Sequence, residues 1–166
     1  GQSVIWRGPL AANAILQLFE NTVWDNLDYM IIDFPPGTGD IQLTVLQRLT
    51  LTGAIIVTTP QDISLIDARR AIDMFLKDGI AIPLLGIVEN MSWFTPKNHP
   101  EEKYFIFGKG GGEKLAEEYN TPLLCQIPLV ADVGEAAEQG KSIFNQENKI
   151  FVDNFLKMTD KLIESL

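Results

Sequence analysis

The run Asp33-Phe34-Pro35-Pro36-Gly37-Thr38-Gly39-Asp40 sets a carboxylate at the end of an apolar stretch and follows it with a turn rich in glycine and proline. An acid at the tip of a buried strand is costly unless it meets a cation or hydrogen-bond donors. Mg²⁺ carried by a nucleotide, reached directly or through water, is a suitable partner. Gly37 could then bring its backbone amide to a phosphate. The same residues also fit a strand followed by a tight turn, with Asp33 simply solvated.

Three further segments hold chemistry-bearing groups. Thr58-Thr59-Pro60-Gln61-Asp62 follows a second apolar run, and a helix expected from about Ile63 carries Asp67, Arg69 and Arg70. Asp67 there could complement the helix dipole, with both arginines in solvent. Glu89-Asn90-Met91 follows a third run; Asn90 offers a donor and an acceptor that could read the edge of a base, or could only close a turn. Phe107-Gly108-Lys109-Gly110-Gly111-Gly112-Glu113-Lys114 is glycine-rich before a helix expected from about Glu113, but no Ser or Thr follows either lysine, so it is no phosphate-binding loop of the G-x-x-x-x-G-K-[ST] type. It reads as a flexible loop capping that helix. His99 and Cys125 have no companions at metal-ligand spacing in the sequence, so a surface loop and a core strand are their expected places.

The elements that must position these groups follow from hydrophobic pattern. Tyr29 to Asp33, Ala54 to Thr59, Leu84 to Glu89 and Pro122 to Gln126 are short apolar runs without polar alternation, as in strands covered on both faces. Helical spacing appears after Pro9 (Leu10, Ala14, Ile15, Leu18), along Leu65, Ala68, Ile72 and Phe75, and along Phe151, Phe155, Met158 and Leu162. Strand and helix alternate, which implies an α/β fold with an open, mostly parallel sheet, helices on both faces and ligands at the carboxyl ends of the strands. One domain over 1–166 is expected, with a long loop insertion at 92–112.

Composition narrows the partners. The chain is 46% hydrophobic and 21% charged, which excludes a disordered chain, and its net charge of -9 does not supply the basic face a nucleic acid needs. No apolar run approaches the roughly 20 residues that span a bilayer. A single cysteine excludes an internal disulfide and fits a reducing, cytoplasmic setting.

Taken in order, Trp6-Arg7-Gly8-Pro9, the Asp33 to Asp40 run, Thr58 to Asp62, Asp67 to Arg70, Val88 to Met91, Phe107 to Ala116 and Ile127-Pro128-Leu129 closely resemble the Mrp family, a branch of the MinD/ParA-like P-loop ATPases. The resemblance covers nearly the whole chain. It implies an ATP-dependent homodimer that hydrolyses ATP with magnesium and serves iron-sulfur cluster assembly or transfer, with client or scaffold proteins as partners. It further implies Asp33 as the Mg²⁺-associated acid, Gly37 as the switch glycine sensing the γ-phosphate, and Asn90 and Pro128 on either side of adenine. Asp67 would meet a lysine of the facing subunit. Thr59 and Arg7 would belong to the nucleotide-binding set, Arg7 without a defined role.

Two departures from the family pattern matter. Members have a K-G-G-V-G-K-[ST] loop and further βα units before the segment that resembles Trp6 to Pro9, so these residues are expected to be a C-terminal portion, inactive alone. Many members also carry C-P-x-C after the Glu-Asn-Met-Ser segment, where this chain reads Phe94-Thr95-Pro96-Lys97-Asn98-His99. A homodimer of this region brings only two sulfurs, so four-thiolate ligation needs cysteines from elsewhere. A regulatory ATP-dependent dimer of the same fold that carries no cluster is the alternative. Anaerobic reconstitution of the full-length protein with iron and sulfide, repeated with Cys125→Ser, should give the same cluster content in both; a stoichiometric cluster lost on that substitution would contradict a core role for Cys125.

Overall fold

The computed structural model describes residues 8–34, 37–96, 99, 101–145 and 149–166. Trp6, Arg7, Pro35 and Pro36 lie outside the described residues. The helices are α1 (Gly8–Glu20), α2 (Asp40–Arg48), α3 (Asp62–Leu76), α4 (Gly111–Glu118), α5 (Ala131–Glu138) and α6 (Lys149–Ser165), with a 3-10 turn at Ile143–Asn145. The strands are β1 (Ala54–Thr58), β2 (Leu84–Glu89) and β3 (Leu123–Gln126).

The strands form one parallel sheet in the order β1-β2-β3, with Thr58 opposite Glu89 and Glu89 opposite Gln126 at the carboxyl ends. Parallel neighbours cannot be joined by a tight turn, so α3 carries the chain from β1 to β2 and α4 from β2 to β3. Successive strand residues point to opposite faces. Ala54, Ile56 and Ile87 enter a core with Leu65, Ala68, Ile72 and Phe75 of α3 and Leu115 and Ala116 of α4. Ile55, Val88 and Leu124 face a second core built with Phe151, Phe155, Met158 and Leu162 of α6, and Cys125 packs against its border. Helices therefore cover both faces, and the three later apolar runs are the expected strands with ends shifted by one residue at most.

The first apolar run is different. Tyr29 to Asp33 is not a strand: it forms no ladder with any described residue, and Tyr29 and Ile31 are exposed. A continuous apolar run marks a buried strand only where neighbouring strands take its backbone groups, and β1, β2 and β3 pair among themselves. The segment instead walls a cavity of about 360 Å³ with α1 and α2, lined by Ile15, Phe19, Trp24, Met30 and Val45. Helices α2 and α5 go beyond the sequence reading, since each is short and shows less than three turns of pattern.

The 92–112 stretch is partly built rather than irregular throughout. Phe94 exchanges two backbone hydrogen bonds with Tyr104, at 2.8 and 2.9 Å, and the Leu129 amide donates to the Trp93 carbonyl at 2.7 Å. This extends the sheet's end by short bridges on either side of Phe94.

Ile72 is fully buried and Ile66, on the same helix, is 49% exposed. Ile72→Ala should cost about 2–5 kcal/mol in chemical denaturation and Ile66→Ala under about 1 kcal/mol. Equal losses would contradict the packing of α3.

Candidate functional site

The carboxyl ends of the three strands are joined by hydrogen bonds that continue past the ladder. The Asn90 amide donates to the Thr58 carbonyl at 2.7 Å, the Ile127 amide to the Glu89 carbonyl at 2.8 Å and the Ser92 amide to the Ile127 carbonyl at 2.9 Å. Thr59, the first residue beyond β1, donates its hydroxyl to Ser64 Oγ at 2.7 Å, tying the exit loop to the first turn of α3. Thr59, Asn90 and Pro128 thus lie on three adjacent strand exits.

Their individual settings differ. Asn90 Oδ1 accepts the Met91 amide at 2.9 Å, closing a turn in which Met91 takes a left-handed φ of 54°. The turn occupies the oxygen; no described residue accepts from the side-chain NH₂ group. Pro128 is buried between Ile127 and Leu129, whose amides are held by Glu89 and Trp93.

The centre of this arrangement is a residue to which the sequence reading gave no role. Glu89 is 1% exposed, and its carboxylate accepts the Gly112 amide at 2.6 Å and Gln126 Nε2 at 2.9 Å. A charged residue ending an apolar run was the available signal, because such a group must find donors when buried. The glycines supply one. A Cβ on Gly112 would stand 2.7 Å from Glu89 Cβ, and one on Gly111 would stand 2.6 Å from the Pro60 carbonyl oxygen. Close approach is therefore what Gly111 and Gly112 are for. The Gly112 amide serves an internal carboxylate, and α4 starts at Gly111, two residues before its expected start.

No described contact joins Asp33, Gly37 or Asp67 to this cluster. Asp33 is exposed and precedes Phe34, whose ring packs edge-on against Phe75 with centroids 6.4 Å apart. Phe75 lies in the last turn of α3, roughly 20 Å along the helix from Asp62. The expected position of Asp33 at the tip of a buried strand is thus replaced by an exposed one near the opposite end of α3. Gly37 has a φ of 101°, which a residue with a side chain rarely adopts. Asp67 is exposed and pairs with Arg70 at 3.1 Å, a surface contact of little energetic weight. Arg69 is not simply solvated: it forks onto Glu118 at 2.7 to 3.0 Å, joining α3 to α4. That pairing raises the Arg69 pKa and holds the Glu118 carboxyl below its usual range.

Cys125 is half-buried in β3, where burial pushes its thiol pKa up and Lys161 partly opposes this. A raised thiol pKa disfavours the thiolate that metals and electrophiles require. His99 does have companions: Glu101 and Glu102 lie 3.6 and 3.8 Å from its Nδ1. Both acids are near neighbours of His99 in the sequence, Glu101 two residues on and Glu102 three. All three sit at the surface, and Glu102 also accepts the Tyr104 hydroxyl.

Residues 1–163 match the family described as ParA: NUBPL iron-transfer P-loop NTPase. The chain belongs to this family. It is 46% identical to the iron-sulfur cluster carrier protein of Escherichia coli over 99% of this chain and 44% of that protein. It is 45% identical to that of Pyrococcus horikoshii over 99% of this chain and 55% of that protein. The chain thus spans about half the length of these relatives. A nucleotide-binding protein from Archaeoglobus fulgidus, solved in complex with ADP, is 37% identical, with a TM-score of 0.70 over 80% of this chain and 53% of that one. The Pyrococcus furiosus cell division ATPase MinD, 19% identical with a TM-score of 0.64 over 99% of this chain and 64% of that one, shares the fold.

The glycine contacts in this NUBPL-family chain give opposite expectations for one substitution. Gly111→Ala forces a Cβ against the Pro60 backbone and should destabilise by about 1–3 kcal/mol. Gly134→Ala, within α5 and with nothing within 4 Å, should stabilise by about 0.4–1 kcal/mol. Thermal melts read both; a neutral Gly111→Ala would contradict the contact.

Proposed function

We propose that this chain is part of a protein that binds and hydrolyses ATP, works as a homodimer, and serves the assembly or transfer of iron-sulfur clusters to client or scaffold proteins. The observation that carries this reading is the convergence of Thr59, Asn90 and Pro128 on three adjacent strand exits. Ligands of open parallel sheets bind at that edge. The A. fulgidus relative solved with ADP and the relatives named as iron-sulfur cluster carriers support it.

In this reading Asn90 donates its side-chain NH₂ to the base and Pro128 bounds the base's other side. Thr59 lies at the β1 exit beside the nucleotide, and Arg7, outside the described residues, joins the same set. Gly37 approaches the terminal phosphate and Asp33 holds Mg²⁺ through water. The ion neutralises charge on the phosphates. An exposed carboxylate and a glycine at positive φ suit those two roles chemically. They take their places at the strand exits only in the full-length protein, whose relatives run to about twice this length. Asp67, exposed on α3, faces a lysine across the dimer.

A second reading, a regulatory ATP-dependent dimer without a cluster, is favoured by one observation: the single thiol of the chain sits half-buried with its pKa raised.

Asp33→Ala in the full-length protein should lower ATP turnover by orders of magnitude, on the order of 10²-fold or more, while calorimetry still detects nucleotide binding. Turnover equal to wild type would return Asp33 to the role of a solvated turn residue.

A further inference from the structure

Glu89 does more than end a strand. Its side chain bonds α4 through the Gly112 amide and β3 through Gln126, at 2.6 and 2.9 Å. Its backbone carbonyl accepts the Ile127 amide and the Ser92 hydroxyl, both at 2.8 Å. The neighbouring residue, Asn90, is held by its amide on the Thr58 carbonyl at 2.7 Å. The first turn of α4 is wedged between Glu89 and Pro60, since neither Gly112 nor Gly111 leaves room for a Cβ. Pro60 in turn follows Thr58 and Thr59 directly. One buried carboxylate therefore closes a ring that runs from β2 through α4 to the β1 exit and back through the Thr58–Asn90 bond.

We propose that Glu89 is a positioning residue that holds Asn90 and the Thr59-Pro60 turn in place by clamping the glycine start of α4. It touches no ligand itself. Removing the carboxylate leaves the buried Gly112 amide and the part-buried Gln126 NH₂ without an acceptor, and such groups seek water by opening the contact. The α4 start then lifts from Pro60, and the bond from Asn90 to Thr58 loses its backing. A purely local helix cap would loosen only the α4 start. The negative charge also suits the positive end of the α4 dipole. Glu89→Gln is the informative conservative change. Its carbonyl oxygen can still accept the Gly112 amide, and Gln126 can turn its own amide to accept from the new NH₂ group.

The test reads backbone amide exchange at Gly112 and Asn90 in the full-length protein, as wild type, Glu89→Ala and Glu89→Gln, together with Mg-ATP affinity by calorimetry. Exchange at both amides should rise about tenfold or more in Glu89→Ala, the scale set by a buried hydrogen bond left unmade. Glu89→Gln should stay within about threefold of wild type, because its hydrogen bonds can be re-formed. If Glu89→Ala does not fold, Glu89→Asp, one methylene too short to reach Gly112, replaces it with the same criteria. Faster exchange at Gly112 with Asn90 unchanged would overturn the proposal, as would Glu89→Gln behaving like Glu89→Ala. The affinity arm rests on the nucleotide reading above: about tenfold weaker binding in Glu89→Ala and near-normal binding in Glu89→Gln are expected. Wild-type protein that binds no Mg-ATP would sink that reading, while the exchange at Asn90 would still decide the clamp.

Discussion

A carboxylate that is 1% exposed must take its donors from the protein, and the strand exits are arranged around that requirement of Glu89. One donor is a backbone amide, which exists at the right place only because α4 begins with two glycines able to approach Glu89 and Pro60 closely. Where α4 begins fixes where it lies. Leu115 then reaches the core at zero exposure, and Glu118 meets Arg69 of α3. The other donor, Gln126, ties β3 to β2 at the rung where the two strands end. Packing of the sheet's first face and geometry of its carboxyl edge are thus set by the same group.

Much of this could be seen in the residues themselves. Ala54 to Val57, Leu84 to Val88 and Leu123 to Cys125 are apolar because helices lie over both faces, α3 and α4 on one side and α6 on the other, leaving Val57 exposed. The 3.6-residue spacing of Leu65, Ala68, Ile72 and Phe75 marks α3 for the same physical reason, a buried stripe. Tyr29 to Asp33 has an equally apolar pattern but no strand beside it among the described residues, and pattern alone does not report a neighbour. The Phe94–Tyr104 bridge was hidden because a single pair of backbone bonds leaves no periodic signature. At the candidate site, Thr59 and Asn90 were legible as residues at strand ends, whereas Pro128 came only from the family resemblance. Glu89 was visible only as an oddity, since its partners Gly112 and Gln126 are 23 and 37 residues away in sequence.

The surface left exposed bears on the proposed function. Val57 of β1 is 63% exposed, unusual for an apolar strand residue, and Ile31 of the first apolar run is 88% exposed. β1 also has no partner on its far edge among the described residues. An unpaired strand edge offers backbone groups that a larger sheet would use. The relatives, with this chain spanning 44% and 55% of their lengths, have the residues for one. The proposal that Asp33 and Gly37 join Thr59 and Asn90 around one nucleotide depends on that larger assembly.

The proposed nucleotide lies across the exits of β1, β2 and β3. Photocrosslinking of the full-length protein with 8-azido-ATP, followed by peptide mapping, tests this placement most directly. Label, displaced by unmodified ATP, is expected on peptides that contain Asn90 and Met91 or Ile127 to Leu129. Displaceable label found only elsewhere, with none on those peptides, would contradict it.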